Sequence, residues 1–466
     1  MTEATVASSQ LPPGEVFDEE GAASSSWRVR DFTLVGCGSS SSTPMLQCLA
    51  STRGAGCAVC RDAMTVTRDD RDDGLPPRFT SPNHRLNPSA LVVFERVAEG
   101  SRDAAPAATT AARSDVRYVL IDCGKTFRES AIKVLIPAGV PALDAIILTH
   151  DHMDAIGGLD DVRDFCDAAN RGPVRVYCNA RTLSSLRRLY PYLFPDATRA
   201  KGAFLASLQF IEVAFSDEGP SHFTLDFGWT PFGGPTAPRD LAHVTSLPLE
   251  HGPGYICHGF AFDIHHSTIA SSALVDTSPS GVLAYLSDVS RVPLPTQEYL
   301  LGLGTRLRIL VLDMLGERPY FSHFSVSEAI AFAKFVTPPR RGGRRGRPDT
   351  TTSQLHVDDA VDVYFVGMSH HLDYAATNRR LAAAWRDHII GATSPFGDLE
   401  ESSDGGMADA AEEDDVVATS GGGFALGYDG LVCYATRPGG GIKTGAGSGV
   451  CSRVACHGTS STRVTL

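Results

Sequence analysis

An α/β sandwich carrying its reactive groups along strand ends is the fold this sequence predicts, and three observations lead there. Apolar runs of strand length recur, and several end in a histidine or carboxylate, as in Ile146-Ile147-Leu148-Thr149-His150-Asp151-His152-Met153-Asp154. Helical periodicity follows several of these runs, so strands and helices are mixed rather than segregated. With 466 residues and 42% hydrophobic content, the chain can bury a sizeable core.

Residues 1–26 are rich in Ser, Ala, Gly and Glu and read as a disordered leader. Order is expected from Trp27, with a strand at Phe32–Val35 running into the small-residue loop 36–44. Ala90–Phe94 and Tyr118–Gly124 read as strands, and Arg128–Ile136 as a short helix. Ile156, Leu159, Val162 and Phe165 recur at helical spacing and predict a helix over 155–165. A strand at Val174–Cys178 precedes a helix from Ala180 to Tyr190. Beyond Phe210 come short β segments at Ile211–Phe215, His222–Phe227, Ala242–Leu249 and Gly259–Ile264. Leu283–Asp288 and Arg308–Asp313 are apolar strands closed by carboxylates; a helix at Val326–Val336 follows, then a strand at Val361–Val366 leading into Gly367-Met368-Ser369-His370.

These elements predict a single domain over 27–436 with solvated insertions at about 61–82, 97–115, 338–355 and 396–423, and a disordered tail at 437–466. The net charge of −13 argues against a surface built for nucleic acid or anionic membrane. The basic loop Arg340–Arg347 is the one feature that favours RNA. No apolar run approaches the roughly 20 residues that span a bilayer, and Met1-Thr2-Glu3-Ala4 does not open a signal peptide. The 11 cysteines are odd in number and irregular in spacing, which excludes a disulfide framework. A soluble, intracellular, cytoplasmic protein is expected, with monomer and homodimer both open.

In an extended chain His150, His152 and Asp154 project to one side, the imidazole and carboxylate set that suits a zinc-like ion. A binuclear centre needs further donors, and strand ends offer them: His251 after Ser246–Glu250, Asp288 as a bridging carboxylate, and His370 after the last apolar strand. Asp122 closes its strand beside Gly124 and is better placed to orient a ligand than to be one.

In that order these motifs resemble the metallo-β-lactamase-fold hydrolases, which implies an αββα sandwich. The chain is most similar to the PhnP-like branch, which includes the cyclic phosphodiesterases of carbon–phosphorus lyase pathways. Further matches are Gly36-Cys37-Gly38-Ser39-Ser40, Arg85-x-Asn87-x-Ser89, Gly158-Leu159-Asp160-Asp161-Val162-Arg163, Ser322-His323-Phe324-Ser325 and Tyr428-Asp429-Gly430-Leu431. They run from about residue 30 to 435.

The resemblance implies two divalent ions, zinc or manganese, one on His150, His152, His251 and bridging Asp288, the other on Asp154, Asp288 and His370. Family members usually carry H-x-H-x-D-H, but here the last position is Ala155, which weakens the second site. The implied chemistry is metal-assisted hydrolysis of a small or cyclic phosphodiester, because a divalent ion can bring the pKa of bound water down to about 7. Asp122 and Asp154 then serve catalysis alongside His323, the candidate general acid. Cys48 with Cys57-x-x-Cys60 resembles the family's small structural zinc site, with His371 as a candidate fourth ligand. Three alternatives share the fold: a tRNase Z-like nuclease, a thioester or lactone hydrolase, and a binding protein that has lost a metal.

Overall fold

A computed structural model describes residues 27–50, 57–67, 78–79, 81–96, 116–167, 171–194, 205–228, 241–264, 281–338, 361–393 and 423–434. The expected leader and tail, and most of the other expected insertions, lie outside these residues. Part of 61–82 is described: Ser81 Oγ donates to Asp62 within it, and Asn83 Nδ2 links Asp62 at 2.9 Å to Asp373 at 3.1 Å.

Strands β1 (Trp27–Gly36), β2 (Val66–Thr67), β3 (Arg78–Phe79), β4 (Ser89–Arg96), β5 (Val116–Ile121), β6 (Ala145–Ile147), β7 (Val174–Cys178) and β8 (Leu208–Glu212) make up the first half. The second half holds β9 (Ser221–Asp226), β10 (Leu241–Glu250), β11 (Ile256–Ile264), β12 (Gly281–Leu286), β13 (Leu307–Asp313), β14 (Asp362–Val366), β15 (Gly423–Leu426) and β16 (Leu431–Tyr434). The main path runs β15-β14-β13-β12-β11-β1-β4-β5-β6-β7-β8, with β9 and β10 beside β11 and β16 beside β1. The two halves join through β1, which pairs in parallel with β11 at Val29 and Ile264 and antiparallel with β16 from Asp31–Tyr434 to Leu34–Leu431.

Residue alternation makes the layers. In the first half Phe32, Leu34, Val92, Phe94, Val119, Ile121 and Ile147 share one core with the second half, while Val35, Leu91, Val93, Leu120, Ile146 and Val176 join a second core. Successive side chains on a strand face opposite ways, so one face meets the other half and the other meets helices. Phe32 lies 6.3 Å from Tyr285 and Phe94 lies 6.2 Å from Phe262 across the inner layer. On the outer face Phe127, Ile156, Leu159, Val162 and Leu186 cover the strands. The second half is roofed by helices Leu294–Leu303, Val326–Val336 and Tyr374–Thr393. This is the expected αββα sandwich.

β5 to β8 are parallel, as are β12 to β15. Parallel strands end on a common edge, where ligands bind in open α/β sheets. The expected helix over 155–165 is two pieces, an α-turn at Met153–Ile156 and a 3-10 stretch at Leu159–Phe165. The cause is close backbone packing around Gly124 and Gly158. Cys123 donates to Ala155 O at 2.7 Å, and Gly158 donates to Cys123 O at 2.8 Å. A Cβ on Gly124 would lie 1.9 Å from Asp154 O, so only glycine fits there.

Candidate metal centre

The site is built from the ends of β5 and β6. Ile121 pairs with Ile147, which levels the two ends. Asp122 donates its N–H to Ile147 O at 3.0 Å and then turns with φ +58°. That left-handed conformation costs a non-glycine residue about 1 kcal/mol or more, and here it aims a carboxylate inward. Asp122 accepts from Thr149 N at 2.9 Å and Thr149 Oγ1 at 2.8 Å. With its proton committed to Asp122, the Thr149 hydroxyl can accept from His150 Nδ1, 2.7 Å away. Asp122 is thus linked to His150 through Thr149.

His150 Nε2 is then the free lone pair, and it is buried with no hydrogen-bond partner among the described residues. Burial lowers the His150 pKa to about 3, and the neighbouring His251 and His152 add to the effect. A neutral imidazole with an orphaned, inward nitrogen is the form a metal ion needs.

His152 precedes the α-turn Met153–Ile156, so Asp154 is carried on that turn and not on an extended strand. His251 follows β10 and its Nδ1 lies 2.8 Å from Ser322 O, which leaves Nε2 to face His152 Nδ1 at 3.3 Å. One ligand atom from each of His150, His152 and His251 falls within 4.8 Å of the others. This donor set fits a divalent ion of zinc type, which takes three imidazoles and keeps a further position open. Asp154 Oδ1 stands 3.8 Å from His150 Nε2.

Asp288, two residues past β12, also has a left-handed backbone, φ +57°. Together with His251 and His323 it forms a second compact group. His323 Nδ1 lies 3.1 Å from Asp313 Oδ1, and Asp313 also accepts from Phe324 N at 3.0 Å. Burial works against a charge on His323, but the Asp313 carboxylate, with Asp288 and Asp154 behind it, lifts its pKa to about 9. Asp313 is 0% exposed. The sequence shows it as a strand-closing carboxylate, but the ring it serves lies ten residues on and was not legible as its partner.

An outer layer fixes His152. The Tyr255 ring stacks on it with centroids 4.9 Å apart, and the Arg181 guanidinium lies 3.8 Å from the Tyr255 ring centre. The hydroxyls of Tyr255 and Ser185 both donate to Asp151. Nothing in the spacing of these residues along the chain marks them.

His370 is not with the strand-end imidazoles. Its Nδ1 lies 3.4 Å from Cys48 Sγ, 3.4 Å from Cys57 Sγ and 3.6 Å from Cys60 Sγ. The expected ligand of the second ion is thus the fourth member of the cysteine cluster, in place of the exposed His371. The reason is a backbone hold. Buried Arg85 donates from Nη1 to Ser369 O at 2.9 Å and from Nη2 to Leu372 O at 2.5 Å, pinning the loop that carries His370. Three thiols and an imidazole within bonding reach of one point fit a tetrahedral structural zinc. Burial pushes the Cys57 thiol up, but the N–H of Cys60 and the neighbouring thiols outweigh it and bring it below its ordinary value.

The other matched motifs are scaffold. Asn87 Nδ2 donates to Ser39 O and Ser40 O at 3.1 Å, and Ser89 Oγ donates to Asp122 O at 2.9 Å. Asp429 accepts from Cys37 N at 2.9 Å, Leu86 N at 3.0 Å and Lys133 Nζ at 3.0 Å.

A two-layered sheet with helices outside and imidazoles gathered at its strand ends defines the metallo-β-lactamase fold. Residues 117–341 match the family model of the beta-lactamase superfamily domain. Among solved structures, the chain is similar to a diphosphatase of the PhnP family, at 24% identity over 77% of this chain and 93% of that one, with a TM-score of 0.46. It is also similar to the metallo-beta-lactamase fold protein YhfI from Bacillus subtilis, at 12% identity over 87% and 98%, with a TM-score of 0.38. Among curated proteins, 78 residues are 40% identical to an octanoyltransferase from Porphyromonas gingivalis (strain ATCC BAA-308 / W83). That match spans 17% of this chain and only 14% of the curated relative. No helix among the described residues is long and apolar enough to cross a membrane.

Proposed function

We propose that this protein is a metal-dependent phosphodiesterase of the PhnP-like branch, acting on a small phosphodiester, cyclic ones included. The observation that carries the reading is the convergence of His150, His152 and His251 beside Asp288, with the orphaned Nε2 of buried His150 facing the others. When bound there, a divalent ion supplies Lewis acidity and a nucleophile at neutral pH. The chain's own groups do the rest. Asp122, acting through Thr149, holds His150 in the tautomer that offers Nε2. Asp154 and Asp288 place carboxylates beside the imidazoles, where they can orient the attacking water. His323, steadied by Asp313 and charged at neutral pH, can deliver a proton to the departing oxygen of the diester. The matched motifs Ser322-His323-Phe324-Ser325 and Arg85-x-Asn87-x-Ser89 support the phosphodiesterase branch.

The test is a panel of activated phosphodiesters, phosphomonoesters and thioesters assayed with zinc, manganese and magnesium, beside Asp288→Ala. Diester cleavage that a chelator and the substitution both abolish is the expected result. Preference for a thioester would move the assignment to an acyl hydrolase, and equal turnover by Asp288→Ala would remove the mechanism. RNA remains the competing substrate class. Charge reversal across Arg340–Arg347 should leave a small diester untouched and would weaken RNA strongly, because phosphate contacts dominate that binding.

A further inference from the structure

We infer that the strand-end centre of this chain takes one divalent ion, on His150, His152 and His251 with Asp288 alongside, and not the pair its motifs suggest. The inference rests on the metal-hydrolase reading above and refines it. Its first support is that both compact donor groups at the strand ends need the same residue. His150, His152 and His251 form one group, and His251, Asp288 and His323 form the other. His251 has one nitrogen to give, because its Nδ1 lies 2.8 Å from the carbonyl of Ser322. A single lone pair serves a single ion, so the two groups cannot be filled together.

The second support is that neither position the motifs offer for a second ion's imidazole, 155 or 370, supplies one to the centre. Ala155 stands where the motif carries histidine, and its methyl group is packed into the outer core. At the end of β14, Gly367 has φ +79°, and a Cβ there would lie 2.4 Å from Asp313 Oδ1. No donor can project from that position without displacing Asp313. His370, the next candidate along, is committed to Cys48, Cys57 and Cys60. What remains for a second ion is Asp154 on the His150 side, Asp288, and His323, whose ring is held through Nδ1 by Asp313. A mostly carboxylate remnant of that kind binds zinc-type ions weakly.

Geometry thus turns the second half of the centre from a metal site into a proton-donor site. His323, held by Asp313, stands with His251 and Asp288 on this side of the centre, and Gly367 makes room for Asp313. Ala155 and the placement of His370 among the cysteines therefore belong together.

The experiment counts metal by elemental analysis on the full chain, refolded or dialysed with excess zinc and then desalted. The expected difference between the wild type and a His150→Ala, His251→Ala variant is one equivalent. A Cys57→Ser variant loses a different single equivalent, which separates the cysteine cluster from the centre. Asp154→Asn, which leaves all three imidazoles in place, is expected to keep the wild-type count. The same protein filled with manganese should show an uncoupled paramagnetic signal. A difference of two equivalents, a metal lost on Asp154→Asn, or an exchange-coupled manganese pair would overturn the single-ion inference while leaving the hydrolase reading intact. No difference at all would remove both.

Discussion

His370 Nδ1 lies 3.4 Å from Cys57 Sγ although 313 residues separate them in the chain. That contact ties the loop after β14 to the short helix Ala58–Asp62, and Arg85 braces the same loop from below. A metal bound there would clamp the start of the chain to its far strands. Loss of such a clamp ranks among the larger single-site effects, about 4 kcal/mol or more. Cys57→Ser and His370→Ala should each lose one zinc and lower the denaturant midpoint together, while the metal on His150, His152 and His251 stays. Either variant keeping both its zinc and its stability would show that these four groups are ordinary thiols and an ordinary imidazole.

Asp313 reaches the centre through His323, so its removal should lower turnover and spare metal binding. General acid assistance is worth about 10²–10⁴-fold, and Asp313→Asn should lose a part of that at unchanged zinc content. The sign of the pH effect follows from charge. The carboxylate raises the His323 pKa to about 9, so without it the imidazolium is lost at lower pH and the alkaline fall in rate begins earlier. A substrate with a good leaving group should be nearly indifferent to the substitution. An equal loss with good and poor leaving groups would assign Asp313 a structural role.

Gly124 allows the loop carrying Asp154 to lie against the end of β5. A methyl group at this position would meet Asp154 O at 1.9 Å, and overpacking of this kind costs about 1–3 kcal/mol. Gly124→Ala should reduce thermal stability and weaken zinc binding at the imidazoles, because the displaced backbone also carries His152. Unchanged zinc affinity in a destabilised variant would uncouple the loop from the centre.

His84 gives the fold a defined acid sensitivity away from the metal sites. Burial first, and then the Lys133 ammonium 3.2 Å from its Nδ1, lower its pKa to about 3. Its value in the unfolded chain stays near 6.5, so between those limits the unfolded chain binds the proton first. Stability contributed by the neutral ring is complete above the unfolded value and is lost as pH falls below it, at up to about 1.4 kcal/mol per pH unit. Urea midpoints at pH 7 and pH 5 should differ by less in His84→Gln than in the wild type. Equal slopes would mean that the ring is protonated in the folded protein.

The strand-end chemistry was largely legible in the sequence because it is local. His150, His152 and Asp154 sit within five residues, and Asp122, His251 and Asp288 each follow an apolar run that can only be a buried strand. The misplaced residue, His370, also follows such a run, and strand-end position alone does not say which way the next loop turns. That direction is set by Arg85, 284 positions from the carbonyl it holds. Tyr255 and Arg181 meet across the packing of the two halves, and Asp313 meets His323 through the loop after its strand; spacing along the chain marks neither pair. Ala155 is plain in the sequence, but its consequence depends on where the loop after β14 carries His370.

Anomalous diffraction from zinc-loaded crystals tests the central claim most directly. A peak about 2.1 Å from His150 Nε2, His152 Nδ1 and His251 Nε2, with another among Cys48, Cys57, Cys60 and His370, is the result this structure predicts. Density for zinc at the thiols with none between the three imidazoles would contradict it.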